Sequence, residues 1–146
     1  MSASSIIHLN KGGYLDAPEE YDQLGDTLPY IIEMLDKLAT QIGVQPPRTF
    51  VFEDPQQLEE AEEGELSPEL QERLETQREW SDVGEGLATF EALLEHFRKL
   101  TPKEQAELCK STYRQVPPES VLYELEAFVS ALEEAQGDSF RIEFTS

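Results

Sequence analysis

The stretch TLPYIIEMLDKLATQIG, residues 27–43, decides how this chain folds. Its apolar side chains fall at 28, 31, 32, 35, 38, 39 and 42, a spacing that gathers them into one helical stripe. Thr27 or Asp26 is placed to cap the start, Pro29 fits the first turn, and Gly43 can end the helix in the left-handed conformation. Before it come an acidic loop, DAPEEYDQLGD at 16–26, and the β-branched run SSIIHLN at 4–10. The latter leads into KGGY and reads as a strand ending in a turn or small hairpin. After it, VQPPRTFVFEDP reads as a proline-bounded strand centred on Phe50, Val51 and Phe52. Strand, helix and strand suggest a βαβ unit, right-handed if its strands are parallel.

The second half is mostly helical by the same criterion. Leu87, Phe90, Leu93, Leu94, Phe97 and Leu100 share one face of a helix over 82–100, with Asp82 and Glu85 at capping-box spacing. TPKE at 101–104 repeats the device and opens a shorter helix to about Arg114. A last helix places Val121, Leu122, Leu125, Phe128, Val129 and Leu132 on one stripe and meets Gly137 at its end. SFRIEFTS then alternates Phe140, Ile142 and Phe144 with Arg141 and Glu143, the mark of a strand with one buried face. The chain of 146 residues has the length of one ordinary domain. The expected fold is α+β: one domain over 1–146, with a small sheet of about three strands near 5–9, 49–52 and 139–144 packed against three or four amphipathic helices.

Charge is the unusual property. There are 31 acids against 11 bases, a formal charge of −20, where a small domain usually lies within about 2 to 8 of zero. Such a surplus repels phosphate backbones and anionic lipids and steers the chain toward basic protein surfaces or cations. Residues 53–75 carry ten acids and one base, and a surface loop with a short helix is expected at about 53–80. Ser67 and Pro68 mark the start of that helix, and Leu66, Leu70 and Leu74 give it a narrow stripe. Residues 98–114 hold five bases against two acids, so the two segments are complementary and self-association is an alternative. The chain lacks an apolar run of membrane-spanning length and a signal-peptide pattern at its start. With one cysteine, Cys109, it has no intrachain disulfide, so a cytoplasmic location is the default.

Reactive chemistry is sparse. His8 reads as a strand histidine. His96 flanks an apolar helix face without a ligating residue three or four positions away, so no metal site is expected. The acidic loop at 16–26 departs from the calcium-loop pattern, KGGYLD departs from the phosphate-loop patterns, and no serine elbow is present. Cys109 has basic neighbours that favour a thiolate, but packing explains it better. EWSDVGEG at 79–86 reads as Trp80 closing the core edge, Asp82 capping a helix and two glycines allowing close approach. Its functional alternative makes Trp80 an interface anchor beside acids.

The expectation is therefore a small acidic interaction module with no cofactor. Its partner is a basic protein surface, not nucleic acid or membrane, and the residues expected to meet it are Glu59, Glu60, Glu62, Glu63, Glu65, Glu69, Glu72, Trp80 and Asp82. In charge character the chain is similar to small bacterial immunity proteins and DNA-mimicking inhibitors, a similarity of composition alone. The alternatives are a self-associating structural or regulatory subunit, and an enzyme whose carboxylate or cysteine site forms only in the fold.

Overall fold

The run at 27–43 forms helix α1 (Leu28–Ile42), which buries Leu28, Ile31, Ile32, Met34, Leu35, Leu38 and Ala39 and ends at Gly43 in the left-handed conformation. In the computed structural model, residues 3–53 and 67–145 are described. Strand β1 (Ser4–Leu9) turns through Gly12 and Gly13 into the two-residue β2 (Tyr14–Leu15). A 3-10 turn (Pro47–Phe50) follows α1. Next come α2 (Pro68–Thr76), the short strand β3 (Ser81–Asp82), α3 (Val83–Lys99), α4 (Pro102–Lys110), α5 (Pro118–Glu134) and β4 (Ser139–Thr145).

The sheet runs β2-β1-β4-β3 and is antiparallel throughout. Its centre is the pairing of the first and last strands, Ser4 opposite Thr145 through Leu9 opposite Phe140. The run at 49–52 departs from the expected strand. Pro46 and Pro47 remove two successive N–H donors and favour a tight turn, and only Val51 joins the sheet, by a parallel bridge to Ile142. Because β4 is antiparallel to β1, that bridge runs antiparallel to β1, so β1, α1 and this segment do not make a parallel βαβ unit. The turn is tied to α1 by Asp36, which accepts from the Arg48 backbone N–H at 3.1 Å and from its Nε at 3.2 Å.

Alternation along β4 works as its sequence implies. Phe140 and Ile142 enter the core with Ile7, whereas Arg141 and Glu143 lie on the outer face. Stacked ring pairs join the layers, Phe50 with Phe140 and, between α3 and α5, Phe90 with Phe128. Gly86 lets α3 approach the sheet closely, since a Cβ there would lie 2.3 Å from the Phe140 ring.

Helix ends follow the sequence in part. Thr101 and Glu104 form the complete capping box at the start of α4. Asp82 occupies the N-cap of α3 but makes no side-chain cap bond, and Glu85 pairs with Arg78 at 2.8 Å instead of reaching back. Helix α4 stops at Lys110, short of Arg114, and Tyr113 beyond its end stacks on Tyr30.

Gly25 is the tightest junction of strand and loop. Its carbonyl accepts from both the backbone N–H and the hydroxyl of Ser5, each at 2.8 Å, and its φ is +92°. A Cβ there would lie 2.2 Å from the Ser5 carbonyl oxygen. Gly25→Ala is expected to lower unfolding free energy by about 1–3 kcal/mol, from backbone strain plus that clash. Urea denaturation measures it, and an unchanged midpoint would show that the junction carries no strain.

Candidate functional site

The acidic loop at 16–26 is anchored by a residue that the sequence does not single out. Glu124, on α5, is buried, and its carboxylate accepts three backbone N–H bonds from the far side of the chain: Gly25 at 2.8 Å, Thr27 at 2.6 Å and Leu28 at 2.5 Å. These are donors of the loop end and the first turn of α1, where Thr27 makes no side-chain cap bond. Glu124 thus replaces the local cap, and the positive end of the helix dipole faces its charge.

A second tie sits closer to the surface. The Asp22 backbone N–H donates to the Tyr123 hydroxyl at 2.5 Å, and the Tyr21 ring meets the Tyr123 ring edge-on with centroids 5.3 Å apart. Between loop and helix lies a cleft of about 470 Å³ lined by Asp22, Gln23, Thr27, Glu119, Ser120 and Tyr123, with no basic side chain among them. Asp16, Glu19, Glu20, Asp22, Asp26 and Glu119 are all exposed. Burial, reinforced by the Glu126 and Glu20 carboxylates, raises the Tyr21 hydroxyl above its ordinary value. Arg98, whose charge opposes that rise, is held by Glu126 at 2.8 Å.

Of the nine residues expected to meet a partner, four are described. Glu59, Glu60, Glu62, Glu63 and Glu65 lie outside the described residues. Glu69 and Glu72 are exposed on α2, and Asp82 is exposed at the entrance to α3. Trp80 is half-buried and covers the Arg141 guanidinium at 4.6 Å; Phe52 also lies against that guanidinium at 4.6 Å. Arg141 also binds Glu143 at 2.9 Å, and Glu143 lies 3.1 Å from His8 Nε2. This outer-face row is internally partnered.

The basic stretch at 98–114 is likewise engaged locally. Arg98 binds Glu126, Lys99 binds Glu95 and Lys110 binds Glu107. Cys109 is buried, and burial pushes its thiol up, away from the reactive thiolate. Among the described residues there is no group of three or more His, Cys, Asp or Glu side chains placed to hold a metal, and no helix long and apolar enough to cross a membrane. No family model, curated protein or solved structure matches the chain.

Glu124 gives the loop a pH signature. Burial pushes its carboxyl above the ordinary glutamate value, with the Gly25, Thr27 and Leu28 N–H groups opposing the rise. A carboxyl raised in this way keeps its proton in the folded state after the unfolded chain has lost it. Its contribution to stability is therefore greatest below the unfolded value, falls as pH climbs to the folded value, and is flat above. Glu124→Gln, which turns an amide donor toward backbone donors, is expected to cost about 1–3 kcal/mol at neutral pH. The stability gap between native protein and variant should widen on acidification through that window, as followed by urea denaturation at several pH values. A gap that narrows would mean that the three N–H donors outweigh burial.

Proposed function

We propose that this protein is an interaction module that captures a basic protein surface in the cytoplasm, in an inhibitor-like or adaptor role. The face that does so is the one formed by the loop at 16–26 and the start of α5. One observation supports this reading: the backbone that carries Asp22 and Asp26 is tied to Glu124 and Tyr123 rather than left as a slack connection. A surface ordered before the encounter loses less conformational freedom on binding. Carboxylates beside tyrosine rings suit a lysine ammonium or an arginine guanidinium, through charge-assisted hydrogen bonds and contact with the ring faces. The surplus of −20 supplies long-range attraction to a basic partner and repels nucleic acid.

The test separates this face from net charge. The pair Asp22→Lys with Glu119→Lys is expected to weaken binding of a lysine- and arginine-rich probe peptide by about tenfold or more, or about 1.4 kcal/mol. Glu133→Lys with Glu134→Lys makes the same change of charge on exposed positions of α5. These lie 14 to 15 residues along the helix from Glu119, roughly 21 Å at 1.5 Å per residue. This second pair is expected to have a much smaller effect. Equal losses from the two pairs, measured by calorimetry at two salt concentrations, would reduce the reading to nonspecific attraction.

A further inference from the structure

Tyr113 is the most exposed large apolar side chain among the described residues, at 69%. Contacts nevertheless fix its ring. It stacks on Tyr30 with centroids 5.9 Å apart and planes 9° from parallel. The Arg114 guanidinium lies 4.9 Å from the centre of the Tyr30 ring and 5.7 Å from that of Tyr113.

The backbone is shaped to present this ring. Thr112 is buried; its hydroxyl donates to the Cys109 carbonyl at 2.6 Å and accepts from the Val116 N–H at 2.8 Å, and its carbonyl accepts from the Gln115 N–H at 3.0 Å. The connection closed by these bonds holds Arg114 at φ +68° and Gln115 at φ +50°, two successive left-handed residues that are not glycine. Such a conformation costs free energy and persists where surrounding contacts impose it. The ring pair also adjoins the acidic cleft. Thr27 on the cleft lining stands one helical turn before Tyr30, and its carbonyl accepts from the Tyr30 N–H at 3.0 Å. Glu119, also on that lining, follows Tyr113 by six residues. Both chain segments that border the cleft therefore lead to the rings.

Against the rings lies a recess of about 300 Å³ with Pro29, Met34 and Phe144 on its lining. Among the described residues its charged side chains are Glu33 and Arg48, one of each sign, and Asp36 holds Arg48. The recess therefore has no preference for an ion, and Arg114 at the rings would repel a second cation. We infer that Tyr113 is an apolar anchor of the partner interface: the basic surface taken by the neighbouring cleft also carries a large apolar side chain, which packs on Tyr113 and enters the recess. This rests on the reading of the cleft proposed above and adds the chemistry of the partner's second contact. A tyrosine stacked before the encounter loses little rotamer freedom on binding, and tyrosine and arginine are residue types on which interface energy concentrates.

The experiment is a calorimetric titration of the full chain with two peptides rich in lysine and arginine, alike except that one has tryptophans and the other serines interspersed. The tryptophan peptide is expected to bind about tenfold or more tighter. Tyr113→Ala should reduce that preference to about twofold or less, and Tyr113→Phe, which keeps the ring, should retain it. Tyr14→Ala removes a tyrosine that is 62% exposed on β2 and should leave the preference intact. Tyr113 lies outside the core, so its variants should fold as the native chain does, which the urea midpoint checks. Asp22→Lys with Glu119→Lys is titrated alongside. If that pair weakens both peptides while the native chain shows no preference for tryptophan, or a preference that survives Tyr113→Ala, the anchor is overturned and the cleft stands. If the pair weakens neither peptide, the cleft is overturned and the anchor with it.

Discussion

The structure depends on one buried carboxylate. Glu124 reaches from the second turn of α5 to the start of α1, nearly a hundred residues earlier, and binds Gly25, Thr27 and Leu28. A helix start buried without acceptors would leave N–H groups unsatisfied, at a cost of about 1–3 kcal/mol each. The loop itself offers no such acceptor, because Thr27 does not cap. The last long helix therefore completes the first, and the Gly25 carbonyl passes the constraint on to β1 through Ser5. Three elements distant in sequence meet within a few ångströms of one residue.

That junction also explains how a loop rich in like charges holds one shape. Asp16, Glu19, Glu20, Asp22 and Asp26 repel one another, and an unanchored chain of this composition would spread. Ties along the second half of the loop oppose this. Gly25 and Thr27 are bound by Glu124, and Asp22 is bound by Tyr123, so repulsion acts on side chains already directed to solvent. Order and outward negative charge thus have the same cause.

Much of the architecture was legible because it rests on periodicity. The stripes of α1, α3 and α5 and the alternation in β4 are properties of local spacing, and a stripe must find a core. The capping box of Thr101 and Glu104 is equally local. What sequence did not convey depends on contacts across the chain. Glu124 sits among exposed glutamates of the same helix, and only its position between apolar Val121, Leu125 and Phe128 hints that it turns inward. The run Phe50–Phe52 has strand-forming residues, but the two prolines before it impose a turn that propensity counts miss. Local charge drew attention to 59–72, whereas the cleft at 16–26 needed Glu119 and Tyr123 from a helix a hundred residues away.

The distribution of ion pairs shows why stability and potential are separable in this molecule. Among the described residues, Arg48, Arg73, Arg78, Arg98, Lys99, Lys110 and Arg141 each have a carboxylate partner, and those pairs are at least partly solvent-exposed. Pairs of this kind contribute about 0–1 kcal/mol each, far less than burial of the aromatic and aliphatic core, where one large side chain contributes about 1.5–3 kcal/mol. With 31 acids against 11 bases, complete pairing would still leave 20 carboxylates over, and the core has no use for them. Most acids can therefore change at little cost to the fold, whereas a change at Glu124 is expected to lower stability. It is one of the few carboxylates on which the packing depends, and it holds the acid-rich loop in the arrangement that faces solvent.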